Sequence, residues 1–359
     1  MQNKEFRDPL VAQKLVQNIE RLVTGPVNLM EVCGTHTMAI FRHGIRQMLP
    51  EKVKLLSGPG CPVCVTPDHL LDLAMEIARQ PGVLLTTFGD MLRVPGSRYS
   101  LETLKAAGAN VKVVYSPLEA LKLAEEHPEQ EVVFFAVGFE TTAPVIAATI
   151  ITAEQKQLTN FSVIGNNKTI PGALRALLSS GEVKVDGLLC PGHVSAVIGS
   201  EPYRFIPEEL GIGAVITGFE PVDILQGIYL LLQQIQEGRP RVEIQYSRWV
   251  PPQGNPQALK LMEQVFDIEG TQWRGLGYLP GTGLKITDRY RQFDATWRFN
   301  IVVKEQPPKR GCRCGEVLRG IITPLECPLF AKACVPERPV GACMVSVEGT
   351  CAAYYKYGR

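Results

Sequence analysis

Val27-Asn28-Leu29-Met30-Glu31-Val32-Cys33-Gly34-Thr35-His36-Thr37 combines an apolar run, a glycine turn and the start of a helical pattern. A buried strand that passes directly through a turn into a helix is typical of sheets whose strands run parallel. Seven similar apolar runs follow, and helical patterns separate most of them. The runs cover residues 53–56, 83–87, 111–115, 132–137, 161–164, 187–189 and 214–217. We therefore predict an α/β fold built on parallel sheets.

Two pairs of similar segments indicate an internal repeat. The stretch at residues 27–37 resembles Val132-Val133-Phe134-Phe135-Ala136-Val137-Gly138-Phe139-Glu140-Thr141-Thr142. In the same way, Thr87-Phe88-Gly89-Asp90 resembles Thr217-Gly218-Phe219-Glu220. We predict two similar α/β domains that face a cleft, one at residues 1–130 and one at residues 131–238. The alternatives are a single sheet, and a chance likeness between any two strand-to-helix turns.

The character of the sequence changes after residue 238, where Pro251-Pro252 and Pro307-Pro308 interrupt the alternation. A helical pattern persists mainly at residues 256–266, and we interpret the glycine-rich run at residues 275–283 as a loop. Residues 239–359 are thus predicted to form an irregular third domain, which contains six of the ten cysteines. Small irregular domains often gain stability from a bound metal.

The bulk composition excludes several classes of function. With 359 residues the chain has room for two or three domains, and 37 basic residues balance 36 acidic ones. Nucleic acid and anionic membranes are therefore poor candidates for a partner. The chain starts without an apolar signal region, and the run at residues 132–137 is too short to span a bilayer. We expect a soluble, cytoplasmic protein, in which clustered cysteines bind metal or do redox chemistry.

Several polar or sulfur-bearing turns come directly after predicted strands. They are Cys33-Gly34-Thr35-His36, Gly60-Cys61, Thr87-Phe88-Gly89-Asp90, Gly138-Phe139-Glu140, Pro191-Gly192-His193 and Gly218-Phe219-Glu220. Ligands of open parallel sheets bind outside the carboxyl ends of the strands, so these turns are expected to surround a site. Glu140 and Glu220 are by default helix caps, and His193 is either a donor in the cleft or structural. Cys190 is interpreted as a small buried residue.

Three cysteines of the first half lie just ahead of predicted helices. In Gly58-Pro59-Gly60-Cys61-Pro62-Val63-Cys64, the pair is followed by Thr66 and Pro67, a natural N-cap and first helical residue. Cys33 similarly precedes a helix that is expected to start near Thr37. The positive end of a helix favours thiolate over thiol, and thiolates serve both metal binding and disulfide exchange.

The C-x-x-C spacing of Cys61 and Cys64 is ambiguous when taken alone. It is compatible with a redox pair, with half of a zinc site and with two buried cysteines. A thioredoxin-like site usually has an aromatic residue ahead of the pair, and zinc would require a second close pair of ligands; neither is present. No phosphate-binding glycine loop of the Gly-x-x-x-x-Gly-Lys type occurs in the sequence.

The cysteines of the tail are spaced differently. Cys312, Cys327, Cys334 and Cys351 are separated by 14, 6 and 16 residues. Four well-separated thiolates favour an iron–sulfur cube, since zinc ligands usually come in pairs two to four residues apart. Zinc remains the alternative. Cys314 and Cys343 are left over; they form a disulfide beside the cluster, or one of them replaces a chosen ligand.

In their order along the chain, these elements resemble the HypD family of [NiFe]-hydrogenase maturation proteins. The resemblance rests on Cys33-Gly34-Thr35-His36-Thr37, on residues 58–64, on Gly138-Phe139-Glu140-Thr141-Thr142, on Pro191-Gly192-His193-Val194-Ser195 and on the tail spacing. It implies two similar α/β domains and a third that carries a [4Fe-4S] cluster. The cluster ligands would be Cys312, Cys327, Cys334 and Cys351, and Cys314 with Cys343 would be a redox-active pair.

The resemblance also implies a function. Cys33, Cys61 and Cys64 would hold iron while an Fe(CN)2CO unit is assembled, with His36 as a donor to cyanide or a proton carrier. A HypC-type chaperone would take part, a HypE-type protein would supply cyanide, and the hydrogenase large subunit would receive the product. Two other hypotheses remain open: a cluster-dependent thiol–disulfide oxidoreductase, and a structural zinc protein with a metabolite-binding core.

Overall fold

The structure is a computed structural model that describes residues 5–303 and 311–358. Its strands in chain order are β1 (Val27–Glu31), β2 (Val53–Ser57), β3 (Val83–Thr87), β4 (Val111–Val113), β5 (Glu131–Phe135), β6 (Phe161–Ile164), β7 (Asn167–Lys168), β8 (Gly187–Pro191), β9 (Gly213–Thr217), β10 (Val242–Ile244), β11 (Phe266–Trp273) and β12 (Gly277–Ile286). Each of the eight predicted apolar runs is a strand, because such runs bury both faces of a parallel sheet.

Helices lie between most of these strands. They are α1 (Pro9–Leu22), α2 (Gly34–Arg42), α3 (Ile45–Met48), α4 (Asp68–Ala78), α5 (Gly89–Arg93), α6 (Leu101–Ala106), α7 (Pro117–Glu126), α8 (Ala143–Gln155), α9 (Ile170–Ser179), α10 (Gly192–Ile198), α11 (Phe205–Leu210), α12 (Pro221–Glu237), α13 (Pro256–Val265), α14 (Ala295–Phe299), α15 (Cys314–Leu318) and α16 (Thr350–Tyr357). Helix α2 begins at Gly34, three residues before the predicted start near Thr37.

Two fully parallel sheets confirm the predicted α/β class. The first has the order β10-β9-β8-β1-β2, and the second has the order β4-β3-β5-β6. Neighbouring strands β1 and β2 end together, since Glu31 lies beside Ser57. The turns that follow these two strands therefore start from the same edge of the first sheet.

The strands do not divide between the sheets at residue 130. The five-stranded sheet takes its strands from residues 27–57 and 187–244, whereas the four-stranded sheet takes its strands from residues 83–164. The chain thus leaves the first sheet after β2 and returns to it at β8. Strands β1 and β5, which carry the first similarity, each lie one place from the edge of their sheets. Strands β3 and β9, which carry the second similarity, also lie one place from the edge of their sheets. Strand β3 is next to β5, whereas β8 lies between β9 and β1.

A third, antiparallel sheet has the order β11-β12-β7. It corrects the interpretation of residues 275–283 as a loop, because most of that run belongs to strand β12. Gly283 lies opposite both Glu269 of β11 and Lys168 of β7. Strands pair through backbone hydrogen bonds, so a glycine-rich strand can still pair with a neighbour on each side. Its glycines, however, interrupt the alternation of apolar and polar residues by which a strand is identified in the sequence.

Candidate functional site

The turns that carry Cys33 and Cys61 lie against each other at the ends of β1 and β2. The amide of Gly34 donates to the carbonyl of Gly60 at 3.0 Å. A Cβ atom on Gly60 would lie 2.3 Å from the Cys33 nitrogen, a separation that no side chain tolerates. Only glycine permits this approach, and the turn of Cys61 and Cys64 is thereby held against the backbone of Cys33.

Cys61 and Cys64 form a disulfide in this structure, and both are buried. The amide of Cys64 donates to the Cys61 sulfur at 3.2 Å. Neither sulfur is therefore the free thiolate that the sequence predicts. The expected cap also differs: α4 begins at Asp68 after Pro67, and Thr66 donates its hydroxyl to the Pro62 carbonyl.

Cys33 is a free, partly exposed thiol immediately before α2. Burial of its sulfur and the nearby Glu348 carboxylate raise the pKa of Cys33 to about 12, against the smaller opposing effect of the Thr35 and His36 amides. Burial thus opposes the thiolate form of Cys33 that its place before the helix predicts. Desolvation by the surrounding atoms exceeds the stabilisation that a helix N-terminus provides.

Glu348 covers the Cys33 turn from the tail of the chain. Thr35 Oγ1 donates to Glu348 Oε1 at 2.7 Å, and a Cβ on Gly34 would lie 2.5 Å from the Glu348 Cβ. Sequence reasoning missed this residue. The available signal was an acidic side chain three residues before Cys351, as the only charged residue between Cys343 and Cys351.

His36 is fully buried and joins the Cys33 turn to the end of strand β9. Its Nε2 atom lies 2.9 Å from the Gly218 carbonyl and 3.0 Å from Thr217 Oγ1. Burial lowers the pKa of His36 to about 4, so the ring is neutral at pH 7. Because a carbonyl only accepts, Nε2 carries the proton, and the buried Nδ1, which has no partner among the described atoms, can accept but not donate.

The remaining residues of the predicted edge have mixed roles. The ring of Phe219 lies 4.7 Å from that of His36 and 4.0 Å from that of the exposed His193, measured between ring centroids. Glu220 is the N-cap of α12, as the default interpretation predicts, and its carboxylate also forms an ion pair with Arg7. Cys190 is fully buried on strand β8.

Glu140 is a buried carboxylate that lies in the turn before α8 but caps the start of α9. Its Oε1 accepts a hydrogen bond of 2.9 Å from the Ile170 amide in the first turn of α9. Burial raises the pKa of Glu140 to about 7. The default interpretation as a helix cap is therefore correct in kind, although the capped helix lies 30 residues further along the chain.

The six cysteines of the tail line a single small cavity of about 20 Å³, together with Val317, Leu329, Phe330, Gly341 and Met344. Neighbouring thiols shift the pKa values of Cys312, Cys314 and Cys343, in the pairs Cys312 with Cys314, Cys314 with Cys343, and Cys343 with Cys351. Cys334 accepts a hydrogen bond of 3.3 Å from the Val340 amide. The lining is sulfur and apolar carbon, which is the donor chemistry that iron–sulfur clusters use.

The size of this cavity sets a condition on any bound group. A space of about 20 Å³ accommodates one water-sized probe, so the thiols must move apart to receive a cluster of several atoms. Within the described part of the chain, no group of three or more His, Cys, Asp or Glu side chains is arranged to hold a metal ion. The donors of the cavity, thiols among apolar carbon, match in kind the ligands of an iron–sulfur cluster.

The front and tail cysteines also share one apolar core. Cys61, Cys64, Cys190, Cys334, Cys343 and Cys351 belong to a single cluster of buried residues that spans the first parallel sheet and the tail. The turns at residues 33 and 60 lie at the edge of that sheet, and the tail packs directly over them through Glu348. This arrangement places two sets of sulfur side chains on one body of packed residues.

Comparison with known proteins identifies the family. A family model described as "HypD: Hydrogenase formation hypA family" matches residues 10–358. The chain belongs to the HypD family. It is 48% identical to the hydrogenase maturation factor HypD of Azotobacter vinelandii, with 99% of this chain and 96% of the relative covered.

Two further HypD relatives extend over similar lengths. The hydrogenase maturation factor HypD of Rhodobacter capsulatus is 46% identical, with 99% of this chain and 97% of that protein covered. The factor of the same name from Escherichia coli K12 is 44% identical, with coverage of 98% and 97%. The recognised resemblance is thus confirmed over nearly the whole chain. Among residues 5–303 and 311–358, no helix is both long and apolar enough to cross a membrane.

Proposed function

We propose that this HypD family member is a redox-active scaffold on which the Fe(CN)2CO unit of [NiFe]-hydrogenase is assembled. The observation that carries the proposal is the contact between the two front cysteine turns. The Gly34 amide bonds to the Gly60 carbonyl, which brings the segment of Cys61 and Cys64 against Cys33. Three sulfur donors at one sheet edge suit a low-spin iron, since soft thiolates are the preferred ligands of such a metal.

The front sulfurs must change state before they can hold iron. Cys61 and Cys64 are joined by a disulfide, and the thiol of Cys33 is held in its protonated form by burial. Binding of iron at this site therefore requires two electrons to reduce the Cys61–Cys64 disulfide. The iron must also displace the proton of the Cys33 thiol.

The tail is proposed to hold the resident cofactor. Cys312, Cys327, Cys334 and Cys351 would bind the [4Fe-4S] cluster, and all four line the sulfur-rich cavity. When bound, the cluster supplies electrons one at a time. Cys314 and Cys343, which line the same cavity, would form the redox-active pair.

The partners of the assembly reaction are part of this proposal. The Cys33 residue is only partly buried, and a HypC-type chaperone would bring a cysteine of its own to this turn. A HypE-type protein would deliver cyanide, and the hydrogenase large subunit would receive the finished unit. The buried Nδ1 of His36 would accept a hydrogen bond rather than donate one, because the neutral ring leaves that atom unprotonated.

A second candidate, a cluster-dependent thiol–disulfide oxidoreductase, is favoured by one observation. The structure contains a Cys61–Cys64 disulfide together with free Cys314 and Cys343, which is the starting state for disulfide exchange. Replacement of Cys33 separates the two functions. Cys33→Ser should abolish hydrogenase maturation if the chain is an assembly scaffold, and Cys190→Ser is the matched control. If Cys33→Ser retained full maturation, the scaffold proposal would be excluded.

A further inference from the structure

The hairpin turn between strands β11 and β12 makes contacts that the proposed function has not used. The Arg274 amide donates to the Val65 carbonyl at 2.9 Å, and Arg274 Nε donates to the Thr66 carbonyl at 2.8 Å. The same guanidinium forms an ion pair with Asp68 in the first turn of α4. All three contacts are made to the segment that directly follows Cys64, and the Arg274 side chain is only 11% exposed.

The other side of this turn touches Gly315, the residue that follows Cys314. Gly275 has a φ of +82°, and a Cβ on it would lie 2.4 Å from the Gly315 Cα. The two glycine backbones are therefore in direct contact, and Gly315 follows Cys314 in helix α15. A cavity of about 280 Å³ lies at this junction, and its lining includes Asp68, Arg274, Gly275, Cys312, Cys314 and Gly315.

The turn itself is anchored in the core. Trp273 is buried, its ring lies 5.9 Å from that of Phe139, and its Nε1 donates to Thr282 Oγ1 at 2.8 Å. A turn that is fixed at its base by a buried indole can transmit position from one side to the other, because a packed core does not deform freely. The hairpin is thus a rigid spacer between the Cys61–Cys64 turn and the Cys312–Cys314 turn.

We propose that Arg274 is a positioning residue, which with Gly275 holds the Cys314 turn in register with the Cys61–Cys64 turn for disulfide exchange. This inference rests on the redox part of the proposed function. In the exchange, the Cys61–Cys64 bond breaks and a Cys314–Cys343 bond forms. Two electrons and two protons pass from the Cys314 and Cys343 thiols to Cys61 and Cys64, so the reaction is balanced within one chain.

The choice of arginine follows from the contacts. A planar guanidinium can donate to the Thr66 carbonyl through Nε and pair with Asp68 through its terminal nitrogens at the same time. A lysine at this position provides one charged nitrogen and cannot serve both partners in the same geometry. Arg274→Lys should therefore retain part of the effect, whereas Arg274→Gln should lose most of it.

The experiment measures which cysteine pair carries the disulfide in the full-length chain, purified anaerobically with its proposed iron–sulfur cluster. A substoichiometric pulse of diamide introduces one disulfide per several molecules. Differential alkylation and mass spectrometry then measure how fast the bond redistributes between Cys61–Cys64 and Cys314–Cys343. We expect Arg274→Gln to slow redistribution on the order of tenfold to a hundredfold, as misplaced reacting groups do. Reduction of Cys61–Cys64 by external dithiothreitol should keep its normal rate.

Two matched controls keep the inference falsifiable if Arg274→Gln folds poorly. Gly275→Ala places a Cβ against Gly315, whereas Gly281→Ala, also at positive φ, meets nothing within 4 Å. Only the first should slow redistribution. Equal redistribution rates in Arg274→Gln and the unaltered chain would overturn the role of Arg274 but not the proposed function. An equal slowing of the reduction of Cys61–Cys64 by dithiothreitol in Arg274→Gln would have the same consequence. Absence of any redistribution in the unaltered chain would overturn the exchange itself, and with it the redox part of the proposed function.

Discussion

Thr35 Oγ1 donates a hydrogen bond of 2.7 Å to Glu348 Oε1, and this bond joins the Cys33 turn to the cysteine-rich tail. Glu348 lies three residues before Cys351, one of the proposed cluster ligands. A movement of the tail at Glu348 would therefore act directly on the turn that contains Cys33. The two sulfur sites are linked through this carboxylate as well as through the hairpin turn at Arg274.

Glu348→Gln should make Cys33 more reactive. The Glu348 carboxylate is the second cause of the raised pKa of Cys33, after burial, and glutamine keeps the acceptor for Thr35 while removing the charge. The pKa of Cys33 should therefore fall without reaching its ordinary value. Rates of iodoacetamide alkylation at Cys33 between pH 8 and pH 10 measure the effect. The exposed Glu337→Gln is the control, and identical Cys33 rates in all three proteins would contradict the prediction.

Gly60→Ala should disrupt the front site. Its Cβ would lie 2.3 Å from the Cys33 nitrogen, so the two turns must separate. We expect a loss of roughly 1–3 kcal/mol in the free energy of unfolding, as for other overpacked sites, together with loss of maturation. Gly25→Ala is the control, since a Cβ there meets nothing within 4 Å. Urea unfolding of both variants tests this, and equal stabilities would show that the two turns tolerate separation.

The pH dependence of stability should reveal Glu140. Burial raises its folded-state pKa from 4.5 to about 7, so the folded protein binds this proton more tightly than the unfolded chain. The free energy of unfolding therefore falls as the pH rises from about 4.5 to about 7, by roughly 3 kcal/mol from this group. Glu140→Gln removes that contribution while keeping an acceptor for the Ile170 amide.

Urea unfolding at pH 5 and at pH 8 measures this difference. The decrease in the free energy of unfolding between the two pH values should be smaller in Glu140→Gln than in the unaltered chain. The exposed Glu102→Gln should show the same decrease as the unaltered chain. An unchanged pH dependence in Glu140→Gln would mean that the Glu140 carboxyl has the same pKa in the folded and unfolded states.

The sulfur-lined cavity makes a prediction about composition. Replacement of any proposed cluster ligand by serine should lower iron and acid-labile sulfide together in anaerobically purified protein; the ligands are Cys312, Cys327, Cys334 and Cys351. Cys314→Ser and Cys343→Ser should retain both, as should Cys190→Ser on strand β8. Stoichiometric zinc without sulfide in the unaltered chain would eliminate both cluster-based functions. Retention of iron and sulfide in Cys334→Ser would instead show that Cys314 or Cys343 is a cluster ligand.

Sequence reasoning recovered the strands but not their partners. Every apolar run from residue 27 to residue 217 is a strand, because burial on both faces leaves a strong local pattern. Which strands pair is a long-range property, and β8 joins β1 across more than 150 residues without any local sign. Strand β12 was missed for a different reason, since its glycines erase the alternation of apolar and polar residues.

The site was predictable to a similar degree. Cys33, Cys61 and Cys64 follow β1 and β2, and adjacency of those strands brings their turns together. The chemical states of these sulfurs were not predictable, because desolvation and disulfide formation depend on atoms distant in the chain. Glu348 and Arg274 were missed for the same reason: each acts on a turn more than 200 residues away.

Infrared spectroscopy tests the central claim most directly. The chain is purified anaerobically with a saturating HypC-type chaperone from cells that make hydrogenase, and its spectrum is compared with those of Cys33→Ser and Cys190→Ser. We expect cyanide and carbonyl stretching bands in the unaltered protein and in Cys190→Ser, and none in Cys33→Ser. Absence of these bands from the unaltered complex, or their persistence in Cys33→Ser, would contradict assembly of the Fe(CN)2CO unit at Cys33.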